Sequence, residues 1–531
     1  MNKENLQLKY EIKILKDKYH SLLFKHKHQT NNMQNIINRE TEIRVKEIKA
    51  EYDAKIKEYN SIIEDKDAQI MALKRELAKK EAILNNNSSN SGIPTSKTPI
   101  GQNKYIPNTR EKSDKKIGGQ KGHKKHKLER FNETEATEIK EIKLNECPNC
   151  KSSKNQVLES SIDKCEIDYD VKLIKRINRF KECKCKDCGC VYHAPIPNDL
   201  KEDCQYGKGI QSLALCLTNE IYTPFNKTVK LVSGITNGEI NLSEGYVAKL
   251  QKRAYNLLDS FDAKLEAHFP TLPIYYWDDT VISVNGKGAC MRVYCNGDVA
   301  LYRAHTYKNK EGIDADNILN ATSSSTIVMH DHVLVNYNDE YSYENAECVC
   351  HLLRRIKKVK EMTKHEWQDK LINLLSETIH KRNMHINNNT YFNEQEINDI
   401  KIGYDNIIDF GVGEFENSKL QYLDEQEMTL LKDIKKYKKN YLLWLDNKEL
   451  DTTNNISERS LRSIKSKMKI SGQFKNIENA QYHARIKSYI ETAKRNEINI
   501  ITACVRLMEG NPYTLEEMIN SKKSVENNWF F

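Results

Sequence analysis

Apolar positions recur at helical spacing through the first 85 residues, with charged residues between them. Leu8, Ile12, Leu15, Tyr19 and Leu22 step by four and three. The rhythm resumes through Tyr52, Ile56, Tyr59, Ile63, Lys66, Ile70, Leu73 and Leu77. No proline or glycine interrupts the chain before Leu84. A strip repeating every 3.5 residues must face another helix, so 1–85 is expected to form a coiled coil, with the polar stretch Gln29–Asn38 breaking its register. The facing helix belongs either to a second copy, which would make a homo-oligomer, or to the same chain. Asn85–Gly92 (NNNSSNSG) favours turns and cannot build a core. Residues 93–130 show no apolar periodicity, so 86–130 reads as a linker and a flexible arm.

The texture changes at Cys147. Cys147-Pro-Asn-Cys150 is one C-x2-C knuckle, and Cys185-Lys-Asp-Cys188 is a second, flanked by Cys183 and Cys190. Four thiolates on two such knuckles make a tetrahedral Zn²⁺ site, and the strand-like alternation from Tyr169 to Ile174 fits a zinc ribbon over 131–200. Cys183 and Cys190 compete with Cys185 and Cys188 for the second pair, and a reduced hairpin without metal is the alternative. Residues 201–268 read as helices over Gly207–Glu220, Phe225–Val232 and Ser243–Leu258, with Ser243 as an N-cap. They suit a helical hairpin or a helix-turn-helix.

Pro273–Val284 is rich in aromatic and β-branched residues and predicts a strand. Asn285–Gly288 predicts a turn, Ala289–Cys295 a second strand, Asn296-Gly297 a tight hairpin and Asp298–His305 a third strand. A helical stretch over Asp314–Ala321 and a short buried strand over Ser325–Met329 follow. Three antiparallel strands, a helix and a fourth strand is the order of an RNase H-like sheet, in which the first and fourth strands lie side by side. That order would bring Asp278 close to Asp331. Neighbouring carboxylates repel unless a cation neutralises them, and oxygen ligands suit Mg²⁺ or Mn²⁺. After a charged helical stretch over 351–450, Glu458 falls early in a helix among Arg459, Arg462, Lys465, Lys467 and Lys469. A carboxylate among cations suits a metal ligand beside phosphate contacts. The catalytic core would then comprise 269–350 and 451–510, interrupted by the insertion 351–450 and followed by a tail, 511–531.

At 531 residues the chain can hold two to four domains. Its mean hydropathy of −0.74 is low, and no apolar run reaches the ~18 residues of a membrane span. The charged N-terminus lacks the apolar core of a signal peptide. A cytoplasmic, nucleoid-associated protein is the expectation. The net charge of +9 is uneven: Lys97–Arg130 holds 11 basic and 3 acidic residues. That concentration points to a polyanion, with Lys121, His123, Lys124 and Lys125 offering phosphate contacts. Fourteen cysteines, reduced in such a compartment, suggest metal before disulfides.

Taken together, these segments resemble the IS66-family transposases over most of the chain. Asn87-Ser-Ser-Asn-Ser91 resembles the family's linker, Gly118-Gly-Gln-Lys-Gly-His123 its GGQxGH box, and the paired knuckles its zinc-binding domain. Asp278-Asp279-Thr280 resembles its DET motif, with Asp279 in place of Glu, and Asp331 with Tyr337 resembles its second aspartate and downstream tyrosine. Cys348-Val-Cys-His351-Leu-Leu-Arg354-Arg355 looks like CxxHxRR, and Asn454-Asn-Ile-Ser-Glu458-Arg-Ser-Leu-Arg462 looks like NNxxERxLR. Met468 stands where the family often has Lys, and Lys-Lys-His follows the GGQxGH box. The resemblance implies a DDE transposase acting on double-stranded DNA, with Asp278, Asp331 and Glu458 holding two Mg²⁺ or Mn²⁺ ions. It places His351 and Arg354 near the scissile phosphate and allows for accessory proteins encoded by the same element. A DNA-binding protein with a silent catalytic domain and a nuclease that cuts without joining are the rival readings.

Overall fold

The computed structural model describes residues 3–28, 37–84, 130–154, 156, 162–169, 171–197, 200, 202–418 and 424–528. The chain divides into two units. One comprises Met1–Thr109, Lys264–Ile282 and Gly288–Lys465, and the other Arg110–Ala263, Ser283–Lys287 and Ser466–Phe531. Together they make a multidomain α+β protein.

The first unit begins with two helices, α1 (Lys3–His28) and α2 (Ile37–Leu84). They pack on one another, and Asn5 Nδ2 donates to Asp67 Oδ1 at 3.2 Å. The strip predicted to face a partner thus finds one within the chain: Leu8, Ile12, Tyr59 and Ile63 are at least half-covered, whereas Leu73, Leu77 and Leu84 stay exposed. The predicted register break coincides largely with residues 29–36, which lie outside the described residues, as do the linker and basic arm over 85–129.

In the second unit, strands β1 (Glu182–Lys184) and β2 (Val191–His193) form an antiparallel hairpin around Cys185–Cys190. The described residues of the strand expected over Tyr169–Ile174 form no strand, since alternation alone supplies no neighbour to bond. Helices α3 (Lys208–Asn219), α4 (Phe225–Ile235) and α5 (Glu244–Leu257) follow close to their expected bounds. Ser243 caps α5, its Oγ accepting from Tyr246 N–H at 3.1 Å. The eight residues between α4 and α5 are bent by Asn237 and Gly238, both at positive φ.

After α6 (Asp259–His268), the chain enters a five-stranded sheet of β3 (Ile274–Val284), β4 (Lys287–Cys295), β5 (Ala300–His305), β6 (Ile327–His330) and β7 (Glu344–Glu347). Its order is β5-β4-β3-β6-β7. The first and fourth strands are neighbours, parallel, with Ile274 opposite Ile327 and Tyr276 opposite Met329. β4 is covered on both faces from Ala289 to Cys295, as a central strand must be. Asn285 and Gly286 both adopt positive φ, the requirement of a two-residue primed turn. The hairpin expected at Asn296-Gly297 joins β4 to β5, closed by Asn296 N–H donating to Val299 O at 3.1 Å, while Asn296 Oδ1 accepts from the N–H groups of Asp298 and Val299. The predicted helix at Asp314–Ala321 is split into α7 (Lys310–Asp314) and a single 3₁₀ turn at Leu319–Ala321. Asp316 between them turns inward to the buried Arg292 of β4. β7 was not legible in the sequence: Glu-Asn-Ala-Glu has no strand-like pattern, and its existence rests on pairing with β6.

The helices α8 (Val349–Thr363), α9 (Glu366–Asn387), α10 (Glu394–Asn417), α11 (Asp424–Lys436) and α12 (Lys438–Asp446) occupy the expected insertion. Trp367, Tyr404, Ile434 and Trp444 form its core, each large apolar side chain contributing about 2 kcal/mol by burial. Helix α13 (Asn455–Ser471) carries Glu458 in its first turn. Helices α14 (Ile477–Arg495), α15 (Ile500–Met508) and α16 (Leu515–Asn528) complete the second unit, α14 packing on α5 and α15 on α3.

Candidate metal and nucleic-acid site

Asp278 lies on β3, past the three residues paired with β6, and Asp331 follows the last residue of β6. Parallel pairing of these two strands therefore delivers both carboxylates to one end of the sheet. Burial, and next the charge of Asp331, push Asp278 up to about 8, with Asp279 and Glu458 adding to the rise. The Asp279 N–H, donating to Asp278 Oδ1 at 2.7 Å, opposes that rise only in part. Burial also acts to raise Asp331, but His351 and Asn454 beside it prevail and hold it below its ordinary value.

Glu458 arrives from far along the chain. Asp331, Cys348, His351 and Glu458 each place one ligand atom within 4.8 Å of the others, a convergence of metal-binding groups among the described residues. His351 Nδ1 lies 3.0 Å from Asp331 Oδ1 and 3.8 Å from Glu458 Oε1. Its Nε2 is 3.0 Å from Arg354 Nη1, and that guanidinium lies 4.0 Å from Glu458 Oε1. Burial disfavours charge on His351, but Asp331 and Cys348 beside it prevail and raise its pKa to about 11.

Asn454 ties these pieces together. It is fully buried, donates from Nδ2 to Trp277 O at 2.9 Å and approaches Asp331 Oδ1 at 3.4 Å, while its backbone N–H donates to Cys348 Sγ at 3.3 Å. Its carbonyl accepts from Glu458 N–H at 3.1 Å. Asn454 Oδ1 and Glu458 Oε1 are buried oxygens without a hydrogen-bond partner. Buried oxygens are normally satisfied, so two orphans beside an array of acids match the donor set of a divalent cation. Asn454 stood in the sequence only as part of a motif, because a buried tie between a helix start and a strand carbonyl needs tertiary structure to be seen. Lys308 Nζ lies 2.5 Å from Asp279 Oδ1, giving the residue beside Asp278 its own counter-charge.

The basic residues divide. Arg459, Arg462 and Lys465 are exposed at three-residue intervals on α13, and Arg354 is half-buried against the acids. Lys467 corrects the expectation of a phosphate contact: it is 9% exposed, and its Nζ donates to Thr218 O at 3.3 Å. Burial, then the nearby Lys487, lower its pKa to about 8. Helical periodicity turns Lys467 inward while Lys465 and Lys469 face out. Lys121, His123, Lys124 and Lys125 lie outside the described residues.

The two knuckles share one geometry. Cys147 N–H donates to Ser152 O, and Cys185 N–H to Cys190 O; Lys151 N–H returns to Cys147 O, and Gly189 N–H to Cys185 O. Lys151 and Gly189 both have positive φ. In each loop, backbone N–H groups and the second thiol hold the first thiol's pKa below its ordinary value: Cys150 and Asn149 for Cys147, Cys188 and Asp187 for Cys185. The structure does not gather Cys147, Cys150, Cys185 and Cys188 into one cluster of the kind seen at Asp331.

The chain belongs to the IS66 family of transposases: that family's model matches residues 203–482, more than half of it. The match spans Asp278, Asp331, His351 and Glu458 and begins after the knuckles. No curated protein shows significant similarity to the chain. Among the described residues, no helix is long and apolar enough to cross a membrane.

Proposed function

We propose that the chain is a DDE transposase whose catalytic acids are Asp278, Asp331 and Glu458 on an RNase H-like sheet. The observation that carries this reading is geometric: adjacent parallel strands deliver Asp278 and Asp331 to one end of the sheet, and Glu458, from a distant helix, brings a carboxylate oxygen within 4.8 Å of Asp331. The β5-β4-β3-β6-β7 order supports the sheet assignment, and the orphaned oxygens of Glu458 and Asn454 support a cation among the acids.

The three acids would hold two Mg²⁺ or Mn²⁺ ions, which when bound supply Lewis acidity at the attacking and leaving oxygens of an in-line displacement at phosphorus. The chain does the rest. Asn454 and His351 orient Asp331, and Arg354 neutralises charge beside Glu458. Arg459, Arg462 and Lys465 contact the DNA backbone from the open face of α13. Water would attack the phosphodiester at each element end and break its P–O3′ bond to leave a 3′-OH, and each 3′-OH would attack a target phosphodiester and displace the target's own 3′-oxygen. No side-chain nucleophile is needed. The basic arm with Lys121, His123, Lys124 and Lys125 adds sequence-independent grip. The matching geometry of the knuckles favours Cys147, Cys150, Cys185 and Cys188 over Cys183 and Cys190 as ligands of one structural Zn²⁺. The exposed continuation of the α2 strip at Leu73, Leu77 and Leu84 supports pairing with a second copy.

The test is a strand-transfer assay with purified protein, Mg²⁺ or Mn²⁺, the element's own ends and any accessory proteins it encodes. Joined products that vanish in Asp278→Ala, Asp331→Ala and Glu458→Ala support the reading. Metal-dependent cutting without joining replaces it with the nuclease. DNA binding without chemistry, indifferent to the three substitutions, replaces it with the binding protein.

A further inference from the structure

We infer that Glu347 and His332 form a positioning pair that sets the cation affinity of Asp331 according to how the helical insertion is seated. This rests on Asp331 being a cation ligand.

Glu347 ends β7, lies opposite His330 in the β6–β7 register and is completely buried. A buried carboxylate is costly unless its lone pairs are met. Two groups converge on its Oε1, His332 Nδ1 at 2.7 Å and the Tyr337 hydroxyl, which donates, while Oε2 has no hydrogen-bond partner. Burial, then the charge of Glu347, push the Tyr337 hydroxyl pKa upward, so it remains a donor. His332 directly follows Asp331, and Glu347 precedes Cys348, the N-cap of α8. The loop bearing Asp331 is therefore fastened to the start of α8 twice, by His332–Glu347 and, one residue earlier, by Asp331–His351 at 3.0 Å. Two clamps on adjacent residues fix the peptide plane between them and the direction of the Asp331 carboxylate.

The far side of His332 belongs to the insertion. Its ring stacks on Tyr441 of α12 with centroids 6.3 Å apart and meets Tyr437 edge-on at 5.0 Å. His332 Nε2 is 3.9 Å from Asp433 Oδ2 on α11. Arg355 of α8 donates to Asp433 and, at 3.3 Å, to the Tyr441 hydroxyl. Two insertion helices, α11 and α12, thus face the ring that holds Glu347, braced by Arg355 of α8, and a shift of α11 or α12 moves His332 before it reaches Asp331. The pair touches neither substrate nor cation. Its role is to pre-set a ligand, as outer-shell partners do at metal sites generally.

The experiment titrates Mg²⁺ against cleavage rate and, separately, against the melting temperature of the full chain, for wild type, Glu347→Gln, His332→Ala, His332→Gln and Asp433→Asn. The expected result is a half-saturating Mg²⁺ concentration raised about 10- to 100-fold in Glu347→Gln and His332→Ala, with most of the rate recovered at saturation. His332→Gln, which keeps an N–H donor, should recover part of the affinity, and Asp433→Asn should show a smaller shift. Unchanged Mg²⁺ half-saturation in folded Glu347→Gln and His332→Ala overturns the inference, whatever the rate. Should either fail to fold, Asp433→Asn and His332→Gln decide by the same measure. If Asp331→Asn itself leaves the Mg²⁺ response intact, the error lies instead in assigning Asp331 as a ligand.

Discussion

Asn454 donates its side-chain amide to the backbone carbonyl of Trp277 at 2.9 Å, fastening the residue before Asp278 to the residue four before Glu458. One buried hydrogen bond thereby sets the separation of two acids that are far apart in sequence, while the same nitrogen reaches toward Asp331. Asn454→Ala should leave the Trp277 carbonyl buried without that donor and cost about 1–3 kcal/mol. DNA cleavage should fall by more than stability alone explains. Chemical denaturation beside single-turnover cleavage at saturating Mg²⁺ separates the two effects, and an unchanged cleavage rate would remove Asn454 from the site.

The raised pKa of Asp278 gives metal-free stability a definite pH dependence. Folding moves this carboxyl from about 3.9 to about 8, so its proton is bound more tightly in the folded state. The stabilisation is complete below about pH 4 and is lost as pH rises through about 8. Asp331 has the opposite sign and acts only toward acid pH. In chelator, the melting temperature should decline from pH 5 to 8, and Asp278→Asn should flatten the decline. Mg²⁺ should raise it more at pH 8 than at pH 6, because cation and proton compete.

Helix α13 separates DNA contacts from core cations. Arg462→Ala and Lys465→Ala should each weaken DNA binding and reduce the salt dependence by about one phosphate contact, near 1 in log–log slope. Lys467→Met should leave that slope unchanged, because the amine is buried against Thr218. Affinities between 50 and 200 mM salt test all three, and a loss of slope in Lys467→Met would restore it to the DNA surface.

Within the insertion, two glycines of α10 should respond oppositely to alanine. A Cβ on Gly411 would lie 2.7 Å from Trp367 Cγ and 3.0 Å from Leu431 Cδ2. Both neighbours are buried, so Gly411→Ala should cost about 1–3 kcal/mol. A Cβ on Gly403 meets nothing closer than Leu374 at 3.8 Å, so Gly403→Ala should stabilise by up to about 1 kcal/mol through helix propensity. Melting temperatures of the two variants provide the comparison.

The sequence by itself determined the local elements and their chemistry. Charge and apolar period marked α1, α2 and the insertion; aromatic and β-branched runs marked β3, β4 and β6; ordered motifs marked Asp278, Asp331 and Glu458. These signals act over a few residues and survive without a fold. Tertiary structure decided the rest. It gave the α1–α2 strip a partner within the chain, made a strand of the polar Glu344–Glu347 by pairing it with β6, and turned Lys467 inward while its neighbours faced out. It also made Asn454, His332 and Glu347 legible, because each is defined by a buried partner distant in sequence, and burial, unlike periodicity, is not written in any local stretch of chain.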